Sequence, residues 1–212
     1  MKQKVYWKDL CHSFTSSKGR FLSILTLMML GTLALVGLKV TTPNMHRTAQ
    51  RFIDQQEMLD LAVMGDLGLD KTDQEELQGL TGASLEFSYL TDVTLDGKDE
   101  AVRLFSNPET ISRFLLTSGR LPQKEDEVAL AAFWKDRYQI GDQLRIHEKA
   151  GSPSVLKTKN YRIVGFVKSA EMWSEKDLGQ ATSGSGSLDA YGVLSKEAFT
   201  SPVYSLARIR FD

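Results

Sequence analysis

The sequence has one cysteine, three histidines and a single uncharged run long enough to cross a bilayer. Each scarcity closes off a class of function. With Cys11 alone, no intrachain disulfide is possible, so any folded domain must hold together by packing, as suits a bacterial surface. His12, His46 and His147 stand in separate contexts without an H-x-x-x-H or Cys/His cluster, which argues against a zinc site. Asp92, Asp96, Asp99 and Glu100 surround a predicted turn, but their spacing fails the EF-hand pattern. No G-x-S-x-G occurs, so the serines of residues 183–187 do not form a nucleophile elbow. Residues 151–158 have P-loop spacing, yet Leu156 stands where the second glycine must let the backbone wrap a phosphate. The chain is therefore predicted not to be an enzyme and to need no cofactor or metal.

What is present is Phe21–Leu38, eighteen residues without a charge between Arg20 and Lys39. As a helix it would be roughly 27 Å long, close to the hydrocarbon thickness of a membrane. Its polar side chains, Ser23, Thr26 and Thr32, can bond back to helix carbonyls. A cleavable signal peptide is the competing reading. The twenty residues before the run, its length and the absence of an A-x-A-like site after it favour an uncleaved span. Residues 1–20 carry five basic side chains against Asp9, which places the N-terminus in the cytoplasm and everything after about Pro43 outside. The first forty residues are +5, leaving −6 on the remainder of a chain of net charge −1. An acidic outer domain gives no encouragement to nucleic-acid binding.

The expected division is a cytoplasmic amphipathic elbow over 1–20, a transmembrane helix over 21–40, a helical stalk over 41–60, bent near Pro43, and an extracytoplasmic domain over 61–212. In that domain residues 60–64 read as a strand, 66–70 as a turn, and Thr72-x-x-Glu75 as a capping box. Residues 84–95 read as one strand, joined through Asp96-Gly97 to a partner at 101–105. Asn107-Pro108-Glu109 should open a helix reaching Leu116. Strands at 127–131, 142–147, 161–167, 188–194 and 203–211, short helices at 132–138 and 196–199, and a mobile loop at 179–187 complete an α+β list without βαβ rhythm. Trp134, Trp173 and Tyr191 are candidate contact residues, with burial in the core as the favoured alternative.

Three stretches carry a resemblance. Gly119-Arg120-Leu121-Pro122, then Glu127-Val128-Ala129-Leu130, then Ile140-Gly141-Asp142-Gln143-Leu144, resemble the G-R-x-P…E-V-x-L…G-D-x-L signature of the MacB-like periplasmic core domain. Residues 161–167, with Gly165, resemble the strand that follows it, and residues 18–22 with Gly31 and Gly37 resemble the first membrane helix of FtsX-like permeases. The signature residues read as folding residues, with no catalytic role. The resemblance implies the membrane subunit of an ABC transporter in a bacterial cell membrane. A separate cytoplasmic ATPase subunit would drive movement of the outer domain. Family permeases carry further membrane helices after that domain, so this chain is expected to be an N-terminal part needing a permease partner or the missing helices. The rival expectation is a single-pass anchored binding or scaffold module.

Overall fold

The computed structural model describes residues 12, 18–149, 151 and 153–211. The expected elbow lies outside them, except for His12 and residues 18–20. The chain divides into two units, residues 1–51 and 52–212.

Helix α1, Lys18–Gln55, is one unbroken helix of 38 residues. Among the described helices it alone is long and apolar enough to cross a membrane. Hydroxyls that would otherwise be unpaired in an apolar setting turn inward. Ser23 donates to the Gly19 carbonyl at 2.8 Å, Thr32 to Met28 at 2.9 Å and Thr41 to Gly37 at 2.7 Å. The helix passes through Pro43 without interruption and ends at Gln55, earlier than the stalk expected to reach residue 60.

The second unit begins with the last turn of α1, from Phe52. A three-stranded antiparallel sheet has the order β1 (Leu61–Leu69), β10 (Tyr204–Phe211), β2 (Ala83–Ser88). Six further strands close on themselves: β8 (Asn160–Lys168), β6 (Glu127–Ala131), β9 (Leu188–Leu194), β4 (Ala101–Ser106), β3 (Leu90–Leu95), β7 (Gln143–Glu148) and back to β8. The β4–β9 and β6–β8 pairs are parallel and the others antiparallel. Strand β5 (Leu115–Gly119) hangs on β8. The fold is α+β, with one long N-terminal helix followed by a mixed, sheet-rich domain.

Period-two alternation splits β4, β6, β8 and β9 between two cores, while β7 buries one face only. Val93, Leu104, Leu130, Ile146, Ile163 and Leu194 form one cluster, to which all six ring strands contribute. Phe105, Ala129, Ala131, Tyr191 and Val193 turn the other way and pack with Phe114, Val167 and Leu206 of β10. This is why Glu-Val-Ala-Leu-Ala reads as a strand buried along its whole length.

Several local expectations change. The chain between residues 84 and 95 is two strands, broken at Tyr89, which leaves the small sheet for the ring. Its amide donates to Ser106 Oγ at 2.9 Å, and its ring stacks 5.1 Å from that of Phe199. Strand β1 runs through the predicted turn at 66–69, its register shifting between Met64 and Leu69. Helix α2, Lys71–Gln78, is capped by Asp70 and Asp73, which bond each other's amides at 2.9 Å. The true box therefore opens two residues before the predicted one.

Residues 107–114 form no helix. The amides of Glu109, Thr110 and Ile111 donate instead to the Glu86 carboxylate, at 2.7–2.9 Å, and Ser112 takes φ +56. Burial pushes Glu86 up, but these amide bonds and the Thr110 hydroxyl bring its carboxyl below the usual range. Only Ala132–Trp134 of the predicted 132–138 helix is helical, as a 3₁₀ turn. The loop at 179–187 is tied down, with the Thr182 amide on Asp92 at 2.8 Å and Arg103 on the Gln180 carbonyl at 2.9 Å.

Candidate functional site

The signature residues assemble into one corner where β5, β6, β7 and β8 meet. Strand β8 uses one edge twice: residues 160–162 pair with β7 and residues 165–168 with β5. At the changeover Gly119 and Gly165 are Cα partners. Gly119 has φ +76, and a Cβ there would collide with the Val164 carbonyl oxygen. A Cβ on Gly165 would collide with the Arg120 carbonyl oxygen. Backbone meets backbone, so neither position has room for a side chain.

From this crossing Arg120 reaches Glu127 with two nitrogens, Nη1 donating to Oε2 at 2.7 Å and Nη2 to Oε1. Glu127 is fully buried and also accepts from the Gln123 amide at 3.0 Å and Arg162 Nη2 at 3.2 Å. The Arg120 bonds, ahead of the others, outweigh burial and pull the Glu127 carboxyl down to about 2. Pro122 and Val128 are buried beside it. Gly141 donates its amide to Ile163 at 2.8 Å, and Asp142 accepts the Gln139 amide at 2.8 Å, closing the turn into β7. These groups bond one another, so the corner organises strands.

The three candidate contact aromatics part company. Trp134 is 4% exposed in the ring core, with the Arg137 guanidinium 4.7 Å from its ring centroid. Tyr191 is 3% exposed, and its hydroxyl accepts the Ser169 amide at 3.0 Å. Burial pushes that phenol's pKa up. Trp173 is 55% exposed. Trp134 and Tyr191 therefore belong to the packed interior and form no exposed patch with Trp173. Tyr191 and Trp173 nevertheless line one cavity of about 360 Å³ with Phe52, Phe133 and Met172, rimmed by Lys168 and Glu175. Phe52 meets Trp173 edge to face at 5.9 Å, and Phe133 meets Tyr191 at 5.9 Å. Sequence spacing missed Phe52, Phe133 and Met172. The one signal was an adjacent Met172-Trp173 pair inside an otherwise polar stretch.

The remaining candidates are placed plainly. Leu156 of the P-loop-like stretch is buried and bridges to Phe199, and Lys157 pairs with Glu125 at 3.0 Å. His147 bonds Asp96 at 2.7 Å on the surface. Among the described residues, no three His, Cys, Asp or Glu side chains are placed to hold a metal ion.

No family model and no curated protein sequence matches the chain. Among solved structures it is similar to the extracellular domain of the noncanonic ABC-type transporter YknZ from Gram-positive bacteria, at 10% identity and a TM-score of 0.37, over 70% of this chain and 75% of that one.

Proposed function

We propose that the chain is a membrane subunit, or part of one, of an FtsX-like ABC transporter, with α1 as a membrane helix and residues 61–212 as a MacB-like core domain outside the cell. In this reading residues 1–20 lie on the cytoplasmic face. A separate ATPase subunit hydrolyses ATP there.

The joint at the end of α1 carries the proposal. The helix leaves an uncharged run and finishes inside the domain unit, where the carbonyl of its last residue and those of the two residues after it are taken up. The Ser112 amide donates to Glu57 at 2.8 Å, the Arg113 amide to Gln56 at 2.9 Å, and Arg113 Nη2 to Gln55 at 3.0 Å. A flexible tether would leave those carbonyls to water; a helix built to pass movement to its domain would bind them. The signature corner adds support, because Gly119, Arg120, Glu127, Gly141, Asp142 and Gly165 each have a structural task there.

Purification of the full chain from native membranes tests the proposal. An ABC ATPase subunit should accompany it, and protease added to intact cells should cleave within residues 61–212. Purification without any ATPase, or cleavage there only from the cytosolic side, would overturn it. The cavity beside Phe52 favours a second reading, a single-pass anchored binding module, for which ligand binding would persist with no membrane partner present.

A further inference from the structure

Four aromatic rings of the domain share one cavity and have no cation against them. Elsewhere Phe105, Trp134, Tyr138 and Tyr204 each hold an arginine or lysine near the ring. Phe52, Phe133, Trp173 and Tyr191 line the cavity of about 360 Å³, and none of them has such a partner among the described residues. They come from four separate segments: the last turn of α1, the 3₁₀ turn after β6, the 169–175 loop and β9. Phe52 and Trp173 stand at 89° to each other, Phe133 and Tyr191 at 74°. Neither pair is parallel, so a flat ligand finds no slot between stacked rings, while a rounded head meets walls on several sides. Trp173 Nε1 donates to the Ala170 carbonyl of its own loop, so the indole has no donor left to satisfy.

The polar lining says what charges fit. Glu175 and Lys168 both line the cavity, and neither has an ion-pair partner among the described residues. Two hydroxyls share the lining with them. Ser169 Oγ accepts the Glu171 and Met172 amides at 3.0 and 3.3 Å, and Ser174 Oγ accepts the Lys176 and Asp177 amides at 3.2 and 3.0 Å. Each is used as an acceptor, which leaves its proton for an anionic group. Aromatic walls with an acid beside them suit a quaternary ammonium, which the rings attract and which has no N–H donors for burial to strand. A lysine and two hydroxyl donors suit an anion. The volume lies at the lower end of ordinary ligand pockets, the size for a small zwitterion.

We infer that this cavity binds a zwitterion of the phosphocholine type. Its trimethylammonium head sits among Phe52, Phe133, Trp173 and Tyr191 beside Glu175, and its phosphate meets Lys168 and the two serine hydroxyls. The same chemistry is offered by a soluble solute and by a lipid headgroup. Such binding holds whether or not the chain belongs to a permease.

The test uses the full chain in nanodiscs of phosphatidylglycerol, which bring no quaternary ammonium of their own, with phosphocholine titrated by isothermal calorimetry. Saturable binding is expected. The carbon isostere 3,3-dimethylbutyl phosphate keeps the shape and the phosphate but loses the positive charge, and should bind about tenfold more weakly. Trp173→Leu keeps apolar bulk without the ring and should cost about tenfold, as should Glu175→Gln. Lys168→Met should weaken phosphocholine by about tenfold yet leave choline, which has no phosphate, unchanged. All three side chains belong to exposed residues, so the variants should melt with the native chain.

No saturable binding up to about 10 mM phosphocholine would overturn the proposal. Equal affinity for the carbon isostere would overturn it too, leaving a merely apolar pocket, as would native affinity in Trp173→Leu. Once binding is measured, nanodiscs of phosphatidylcholine assign the source: competition by the discs makes it a lipid headgroup, and undiminished binding a soluble solute. None of these results touches ATPase co-purification, so the permease reading stands or falls separately.

Discussion

Glu57 and Ser112 lie 55 positions apart in the chain, and each holds a left-handed backbone, at φ +52 and +56. They are the two non-glycine residues with positive φ among those described, and the Ser112 amide donates to the Glu57 carbonyl at 2.8 Å. Ser112 Oγ then accepts the Leu59 amide at 3.0 Å. Two unfavourable conformations are thus spent on one joint, where α1 stops and the domain begins.

The joint makes a prediction about Glu57. A left-handed non-glycine residue costs roughly 1–2 kcal/mol, and a β-branched one more. Glu57→Gly relieves that strain but adds chain entropy and loses the half-exposed Arg210 ion pair, so stability should change by no more than about 0.5 kcal/mol. Glu57→Val should cost about 2 kcal/mol. Apparent melting temperatures of the full chain in detergent would check the contrast. If glycine and valine behave alike, the strain is not real.

Ser112→Ala keeps the strained backbone and removes the acceptor of the Leu59 amide, so it should destabilise by about 1 kcal/mol. Ser112→Gly loses the same bond but relaxes the backbone, and should lie between alanine and the native chain. Hydrogen exchange at residues 57–59 should quicken in both variants and remain unchanged in β6.

Much of the fold is legible in the sequence because it rests on local chemistry. The alternation in residues 127–131, 160–168 and 188–194 survives because each face of these strands has its own core. The Asp96-Gly97 hairpin stands because turn and register agree, with Lys98 donating to Leu95 at 3.1 Å. Failures cluster where a distant residue intervenes. Asn107-Pro108-Glu109 has every local mark of a helix start, but Glu86 captures its amides from 23 to 25 positions away. The cavity was half legible: Tyr191 and Trp173 were singled out, while Phe52 and Phe133 come together only through tertiary packing.

The glycine crossing predicts non-additivity. Gly165→Ala and Gly119→Ala each force a Cβ into opposing backbone, and each should destabilise by about 2–3 kcal/mol while loosening β5. Both act through the same β5–β8 contact, since a Cβ on Gly119 would stand 2.8 Å from the Gly165 Cα. Once one has opened it the other has less to break, so the double variant should cost clearly less than the sum. Full additivity would mean the two glycines fail for unrelated reasons.

The Arg120–Glu127 pair predicts a pH dependence with a fixed sign. The folded carboxyl titrates near 2 against an ordinary value of 4.5. Its stabilising contribution is therefore complete above about pH 4.5, shrinks as pH falls and is gone below about pH 2. Arg120 is 43% exposed, so solvent screens the pair, and Glu127→Gln should cost on the order of 1 kcal/mol at neutral pH. The gap between native and variant should narrow on acidification through that window. A gap independent of pH would assign the loss to shape.

A second buried ion pair gives the opposite asymmetry between its partners. Arg208 is wholly buried, donating Nε to Glu171 at 2.6 Å and Nη1 to Ser88 at 2.6 Å, with Phe105 5.6 Å from its guanidinium. Nη2 has no partner, so the cation is already short of compensation. Glu171 keeps 17% of its side chain exposed and can turn to water when released. Glu171→Ala strands an uncompensated charge in the interior and should cost about 3–5 kcal/mol. Arg208→Met removes that charge, fills most of the same volume and leaves a carboxylate that water can reach, so its cost should be smaller, about 1–2 kcal/mol. Thermal melts of the two variants should therefore rank the loss of the acid as worse than the loss of the base. The reverse order would show that packing by the arginine stem outweighs the isolated charge.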